Sequence, residues 1–294
     1  MGVTNIAFTG GEPLERADLA EIIRHAASCQ VEHIETVNDS FESHSGPPNL
    51  FLLSNGRNVD DSIFQLCKET NTQLSMSLPG LDTFTTHTGY DGADGVLNAF
   101  TKAKDWGLKT VANITVTKLN LHELDRVIAA ALIAGAEQIL LNRFLPGGRG
   151  LRYIQELSLS VEELRTMLDI AEVTLQTASR FGSLGTEVPR CLIDPSRYKQ
   201  LQVSTRCAAA IEFFVVGPSG FVRVCNHSTV ELNHVDNIDG LQTNEYWNIF
   251  TQKQYLPSDC NDCHERYMCD GGCREAAHIV GGDVCSPDIL MYTP

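Results

Sequence analysis

The stretch NIAFTGGEP, residues 5–13, opens on a short apolar run and passes straight into two glycines, an acid and a proline. The run reads as a strand. The glycines read as a turn, because glycine tolerates backbone angles that other residues avoid and proline fixes the φ that follows. The same alternation continues downstream. LERADLAEIIRHAASC places Leu19, Ile22, Ile23 and Ala26 on one helical face, and NLFLLSNG reads as the next strand. VDDSIFQLCKET is a helix with Asp60 or Asp61 near its start, followed by the strand QLSMSLPG. GVLNAFTKAKDWG is a helix closed by Gly107; KTVANITVTK is a strand, LHELDRVIAAALIAG a helix and EQILLNRF a strand. Five strands, each followed by a helix or crossover, predict a parallel sheet with helices packed on it. Five do not close a barrel of eight, so the expected fold class is α/β, a partial barrel.

Two segments interrupt the alternation. SCQVEHIETVNDSFESHSGPPN, between the first helix and the second strand, reads as a polar surface loop. LSVEELRTMLDIAEVTLQTASRFG reads as a long amphipathic helix, N-capped by Ser160, that separates the sheet from the end of the chain.

Composition narrows the function. The 294 residues carry a formal net charge of -15 and no run of Lys and Arg, which argues against a nucleic-acid partner. No stretch reaches the ~18 apolar residues of a membrane span, and the start of the chain lacks a signal-peptide pattern, so a cytoplasmic protein without a membrane partner is expected. Ten cysteines are present, seven of them between Cys207 and Cys285. In a reducing compartment that clustering points to metal rather than to disulfides.

The seven form the frame C-x12-G-x4-C, then C-x2-C-x5-C-x3-C, then C: Cys207, Gly220, Cys225, Cys260, Cys263, Cys269, Cys273 and Cys285. Seven thiolates exceed one tetrahedral site, and four cysteines within 14 residues are tighter than the paired knuckles of a zinc ribbon. Ferredoxin-like runs show such spacing, with the fourth cysteine reaching a second cluster. Two iron–sulfur clusters fit best; a zinc-stapled module and a disulfide scaffold are the alternatives. The CDGGC glycines are expected to let the backbone approach a sulfide core.

Gly10, Gly11, Glu12 and Pro13 after a strand, together with the seven-cysteine frame, resemble the radical S-adenosylmethionine (SAM) enzymes of the SPASM subfamily. The resemblance spans essentially the whole chain. It implies a TIM-like partial (β/α)6 barrel lacking its first βα unit over 1–156, a linker helix over 157–190, and a small iron–sulfur domain over 191–294. It also implies SAM at the C-terminal ends of the strands, with Gly10, Gly11, Glu12 and Pro13 around its methionyl group. Asn55 beside Ser54, Ser77, and Asn113 with Thr115 follow as further cofactor contacts, and Arg143 and Arg149 as partners of a carboxylate or substrate. In the tail it implies two auxiliary [4Fe-4S] clusters. Cys260, Cys263, Cys269 and Cys285 would hold one; Cys207, Cys225 and Cys273 would hold the other, with Cys191 as candidate fourth ligand.

The family holds its catalytic [4Fe-4S] cluster in a C-x3-C-x2-C loop, which this sequence does not contain. In the family's order that loop precedes the GGEP turn, so a fragment is expected, one that does not cleave SAM by itself, with a third cluster only where the segment is restored. Cys29 and Cys67 are expected to fill space on helices. The intact protein is expected to be a peptide or protein maturase fed by a reductant such as flavodoxin or ferredoxin. A cofactor-biosynthesis enzyme of the same superfamily and a non-catalytic iron–sulfur electron-transfer or binding protein are the alternatives.

Overall fold

The structure, a computed structural model, describes residues 2–37 and 40–292. The first strand, β1 (Asn5–Phe8), leads through a 3-10 turn at Pro13–Glu15 into α1 (Leu19–Ser28). Leu19, Ile23 and Ala26 of α1 are buried and Ile22 is half-buried, the face that the sequence spacing marks. A hairpin of β2 (Val31–Val37) and β3 (Ser40–Gly46) follows, in place of the expected loop. Ile34 and Phe41 face solvent, at 70% and 83% exposure, and none of the hairpin's side chains with a described environment is buried, so the buried alternation by which a strand is recognised is not seen among them. What orders it is the antiparallel ladder, with the His33 and His44 rings stacked across it at 5.1 Å. Asn38 and Asp39 lie outside the described residues.

The βα alternation then resumes with β4 (Asn49–Ser54), α2 (Asp61–Glu69), β5 (Gln73–Ser77), α3 (Phe84–Thr88), α4 (Ala93–Asp105), β6 (Thr110–Val116), α5 (Leu124–Ala134) and β7 (Gln138–Arg143). The caps show why these helices begin and end where they do. Asp60, rather than Asp61, caps α2, its carboxylate accepting from Ser62 N at 3.0 Å and Ile63 N at 3.2 Å. Gly135, at φ +118°, closes α5. Short helix α6 (Ile154–Leu157) precedes α7 (Val161–Ala178), which starts on a reciprocal cap. Glu163 N donates to Ser160 Oγ at 3.2 Å, and Ser160 N to the Glu163 carboxylate at 2.7 Å.

The sheet has seven strands in the order β1-β4-β5-β6-β7-β8-β9, adding β8 (Gly182–Leu184) and β9 (Leu201–Val203) to the five expected. Three residues apiece are too short for a periodicity signal. β9 owes its place to Glu172, whose carboxylate accepts the N–H groups of Lys199, Gln200 and Leu201 at 2.8–3.1 Å. β1, β4, β5 and β6 pair in parallel, as the alternation requires.

Contacts group the chain into two compact units. One comprises the residues through Thr115 with His122–Leu141 and Thr174–Gly182; the other comprises Val116–Leu121, Asn142–Val173 and the chain from Ser183 onward. In the first, Leu50, Leu52, Leu74, Met76, Ala112 and Ile114 on one sheet face are buried, as are Ile23, Phe64, Phe100 and Ile128 of the helices. At about 1.5–3 kcal/mol per large apolar side chain, this layer is the main stabilising term of the unit. In the second, β10 (Val215–Val216) pairs with β11 (Val222–Arg223), followed by α8 (Glu245–Thr251) and α9 (Arg274–Gly281). Phe250, Tyr255, Val224 and Val284 pack there with Cys207 and Cys225. Among the described residues no helix is long and apolar enough to cross a membrane.

Candidate functional site

In the first unit the GGEP turn and one sheet face form a continuous set. The alternation of β4, β5 and β6 buries one side, leaving Phe51, Leu53, Val111 and Asn113 half-buried and Ser77 and Thr115 exposed on the other. Ser77 is the register partner of Asn113, so these two expected cofactor contacts lie side by side. Gly10 sits at φ +144°, and at both Gly10 and Gly11 the space a side chain would take is open. The backbone there is free to meet a ligand.

Glu12 does something else. It accepts Ser54 Oγ at 2.8 Å, Asn55 N at 2.7 Å and Leu14 N at 3.2 Å. The carboxylate therefore ties the turn to the end of β4, with Pro13 buried behind it. Asn55 presents its side-chain oxygen to Arg57 N at 2.9 Å. A second carboxylate, Glu123, was not singled out from the sequence. It is buried and accepts Asp82 N at 2.8 Å and Thr83 N at 3.1 Å, fixing the loop after β5.

Arg143 is placed differently from the expectation. Its guanidinium is buried, paired with Asp288 at 2.6 Å and donating to Glu187 O at 3.0 Å, so it is a structural cation of the second unit, engaged within the chain rather than offered to a substrate. Asp288 also accepts Cys273 N at 2.8 Å and Leu290 N at 3.0 Å. This carboxylate explains the second of the two CDGGC glycines: Gly272 is at φ +89°, and Asp288 occupies the place of its missing Cβ. Gly220 of the cysteine frame has a matching reason, φ +81° with the His234 ring where a Cβ would lie. Arg274, fully buried and unmarked by any sequence signal, clamps the turn. It donates to the carbonyls of Gly271 and Gly272, and to those of Val284 and Ser286 at 3.1 and 2.9 Å.

The tail thiols fall into two groups. Cys207, Cys225 and Cys273 are buried. Burial, with the Glu187 carboxylate next, pushes Cys207 up to about 12; burial and the nearby Cys273 raise Cys225, and burial and Glu187 raise Cys273. The second group is Cys260, Cys263 and Cys269, joined by Cys191. Burial, then Cys269, Cys260 and Cys263, raises the Cys191 thiol; burial, then Cys269 and Cys263, raises Cys260. Cys269 Sγ accepts two backbone N–H bonds, from Arg190 and Gly271, each at 3.4 Å. Such N–H donors to sulfur are what tune a cluster thiolate.

A single tetrahedral ion would draw its thiolates to roughly 3.8 Å of one another, given bonds of about 2.3 Å. Among the described residues no three Cys, His, Asp or Glu groups meet at single-ion spacing. Cys29 is exposed on the end of α1, whereas Cys67 is buried in α2 and pushed up to about 12 by that burial.

Residues 1–131 match the family model described as the radical SAM superfamily. The PqqA peptide cyclase of Xanthomonas campestris pv. campestris (strain 8004) is 26% identical over 302 residues, an alignment covering 98% of this chain and 73% of the cyclase. Streptococcus suis SuiB, crystallised with S-adenosylmethionine, superposes with a TM-score of 0.70 at 13% identity, over 97% of this chain and 65% of SuiB. Native anSMEcpe with bound AdoMet and the Kp18Cys peptide gives 0.69 at 16% identity, over 98% of this chain and 80% of that one. The chain thus spans about two thirds of SuiB and about three quarters of the cyclase. At these identities the structural likeness establishes the α/β fold.

Proposed function

We propose that the protein, whose residues 1–131 match the radical SAM superfamily, is a radical SAM maturase of a peptide or protein, with two auxiliary iron–sulfur clusters in its cysteine-rich tail. The observation that carries this is the alignment to a peptide cyclase, which runs over 98% of the chain and so takes in the thiol-rich tail as well as the sheet. SAM bound to a reduced cluster supplies hydrogen-atom abstraction; the chain supplies the seat. Gly10 and Gly11 offer backbone to the methionyl end, Ser77 and Asn113 offer polar groups from the open sheet face, and Glu12 holds the turn in place. The tail would hold its clusters through Cys207, Cys225 and Cys273 and through the Cys260–Cys263–Cys269 group. A reductant of the flavodoxin or ferredoxin kind and a cytoplasmic setting complete the proposal.

The reading frame on the genome supplies the test. Protein expressed from the full frame, purified without oxygen, is incubated with SAM, dithionite and the peptide of a neighbouring short reading frame. The proposal expects 5′-deoxyadenosine and a peptide that has lost two hydrogens. A full frame without a C-x3-C-x2-C loop, or SAM left intact, refutes it.

A further inference from the structure

A chain with 37 Asp and Glu among its 294 residues leaves three runs without a single acid: residues 106–122, 138–155 and 213–230. Parts of all three meet in the second unit. Beyond the end of β7 the chain continues as FLPGGRGLRY, residues 144–153, and then enters α6. Lys118, after β6, fastens to that helix: its Nζ donates to Gln155 O at 3.3 Å and its N–H to Leu157 O at 3.2 Å. Gly147 lies against the His227 ring, which is 3.5 Å from where a Cβ would stand. Gly150 turns back, its N–H donating to Gly147 O at 2.9 Å, and approaches the Phe144 ring so closely that a Cβ would strike it.

The segment so held presents Arg149 and Arg152 to solvent. Neither guanidinium has an ion pair or hydrogen bond among the described residues, whereas Arg143 of the same run is spent on Asp288. Leu151 and Tyr153, interleaved with the two arginines, are 43% and 55% exposed. The nearest acid in sequence is Glu156, on α6. We propose that residues 144–153 read the substrate of the maturase and select a peptide bearing Asp or Glu. This selectivity rests on the maturase reading and adds a substrate class to it. Two planar guanidiniums with unspent N–H groups match carboxylates, and the apolar side chains between them offer contact to the residues that flank a carboxylate. A net charge of -15 repels an acidic peptide over most of the surface, so an acid-free patch is where one can settle. Loops that follow the C-terminal ends of strands in a parallel βα sheet are also where such folds bind their ligands.

The test uses two short fluorescein-labelled peptides, one alternating Glu with Ala and the other Gln with Ala, titrated with the full-frame protein and followed by anisotropy. The Glu peptide is expected to bind about tenfold more tightly, and the double variant Arg149→Gln with Arg152→Gln to lose that preference. Arg24→Gln with Lys102→Gln removes the same charge from α1 and α4 of the first unit and should keep it. Equal binding of the two peptides by wild type, or a preference that survives the loss of both arginines, overturns the proposal. Turnover separates the two levels. Full-frame protein that leaves SAM intact defeats the maturase reading and the selectivity with it; protein that cleaves SAM but shows no preference for the Glu peptide defeats the selectivity alone.

Discussion

Replacing Asp288 by Ala removes the partner of a guanidinium that has nowhere to go. Arg143 and Asp288 side chains are 1% and 0% exposed, so after the substitution the cation stays buried without its counter-charge. Breaking a buried pair from one side costs about 3–5 kcal/mol. The same carboxylate accepts Cys273 N and Leu290 N, and orphaned buried donors add about 1–3 kcal/mol. Some of this is shared, since water entering the gap would serve both, so about 4 kcal/mol is the working figure for Asp288→Ala. Against a total stability of about 5–15 kcal/mol this is a large fraction. Thermal melts followed by circular dichroism should fall by roughly 8–16 °C, at 2–4 °C per kcal/mol for a unit of this size. Arg143→Met combined with Asp288→Leu removes both charges and should recover the part of the loss due to the unpaired cation, leaving that of the orphaned Cys273 and Leu290 N–H groups. A drop under about 1 kcal/mol for Asp288→Ala, or a double variant as weak as the single, would show that the pair is not the buried anchor described here.

Gly272→Ala forces a side chain into φ +89° and into the Asp288 carboxylate; it should cost about 1–3 kcal/mol or more and lower the iron bound per chain, measured by urea unfolding and metal analysis. Burial raises the Glu123 carboxyl, but hydrogen bonds from Thr83 and Asp82 outweigh it, so its folded pKa lies below the ordinary 4.5. Its stabilisation is therefore complete above 4.5 and lost as the pH falls through the folded value. Glu123→Gln should be less stable by about 1–3 kcal/mol at neutral pH, and the gap to wild type in urea melts should close under acid. Iodoacetamide at mildly alkaline pH should modify the exposed Cys29 in the folded protein and spare Cys67, whose thiol burial pushes up to about 12, until denaturant is added.

Much of the first unit was legible because β4 and β6 bury one face in alternation and the apolar residues of β5 follow the same period, so Leu50, Leu52, Leu74 and Met76 announce themselves. The hairpin at Val31–Gly46 was not legible, since none of its side chains with a described environment is buried and its order comes from backbone pairing. β8 and β9 were too short to register, and β9 depends on Glu172, a long-range contact that no local pattern encodes. At the site, the Gly10–Gly11 turn was legible from its residue types and the shared side of Asn113 and Thr115 from strand parity, whereas the placement of Ser77 beside Asn113 comes from the β5–β6 register, which no local pattern gives. Arg143 shows the limit of such reasoning: a charged residue at a strand end reads as a ligand contact until Asp288, 145 residues later, is seen to hold it. Cysteine spacing marks the tail thiols as candidate ligands, whereas the pairing of Arg190 with Glu265 and its N–H bond to Cys269 join residues some 75 positions apart, which no local pattern encodes.

Iron and acid-labile sulfide per chain, after anaerobic reconstitution of the 294-residue protein, test the central claim most directly. Two four-iron clusters predict about eight of each and a brown protein with broad visible absorbance. Roughly one bound zinc in a colourless protein, with the tail thiols free to alkylation, would contradict the account.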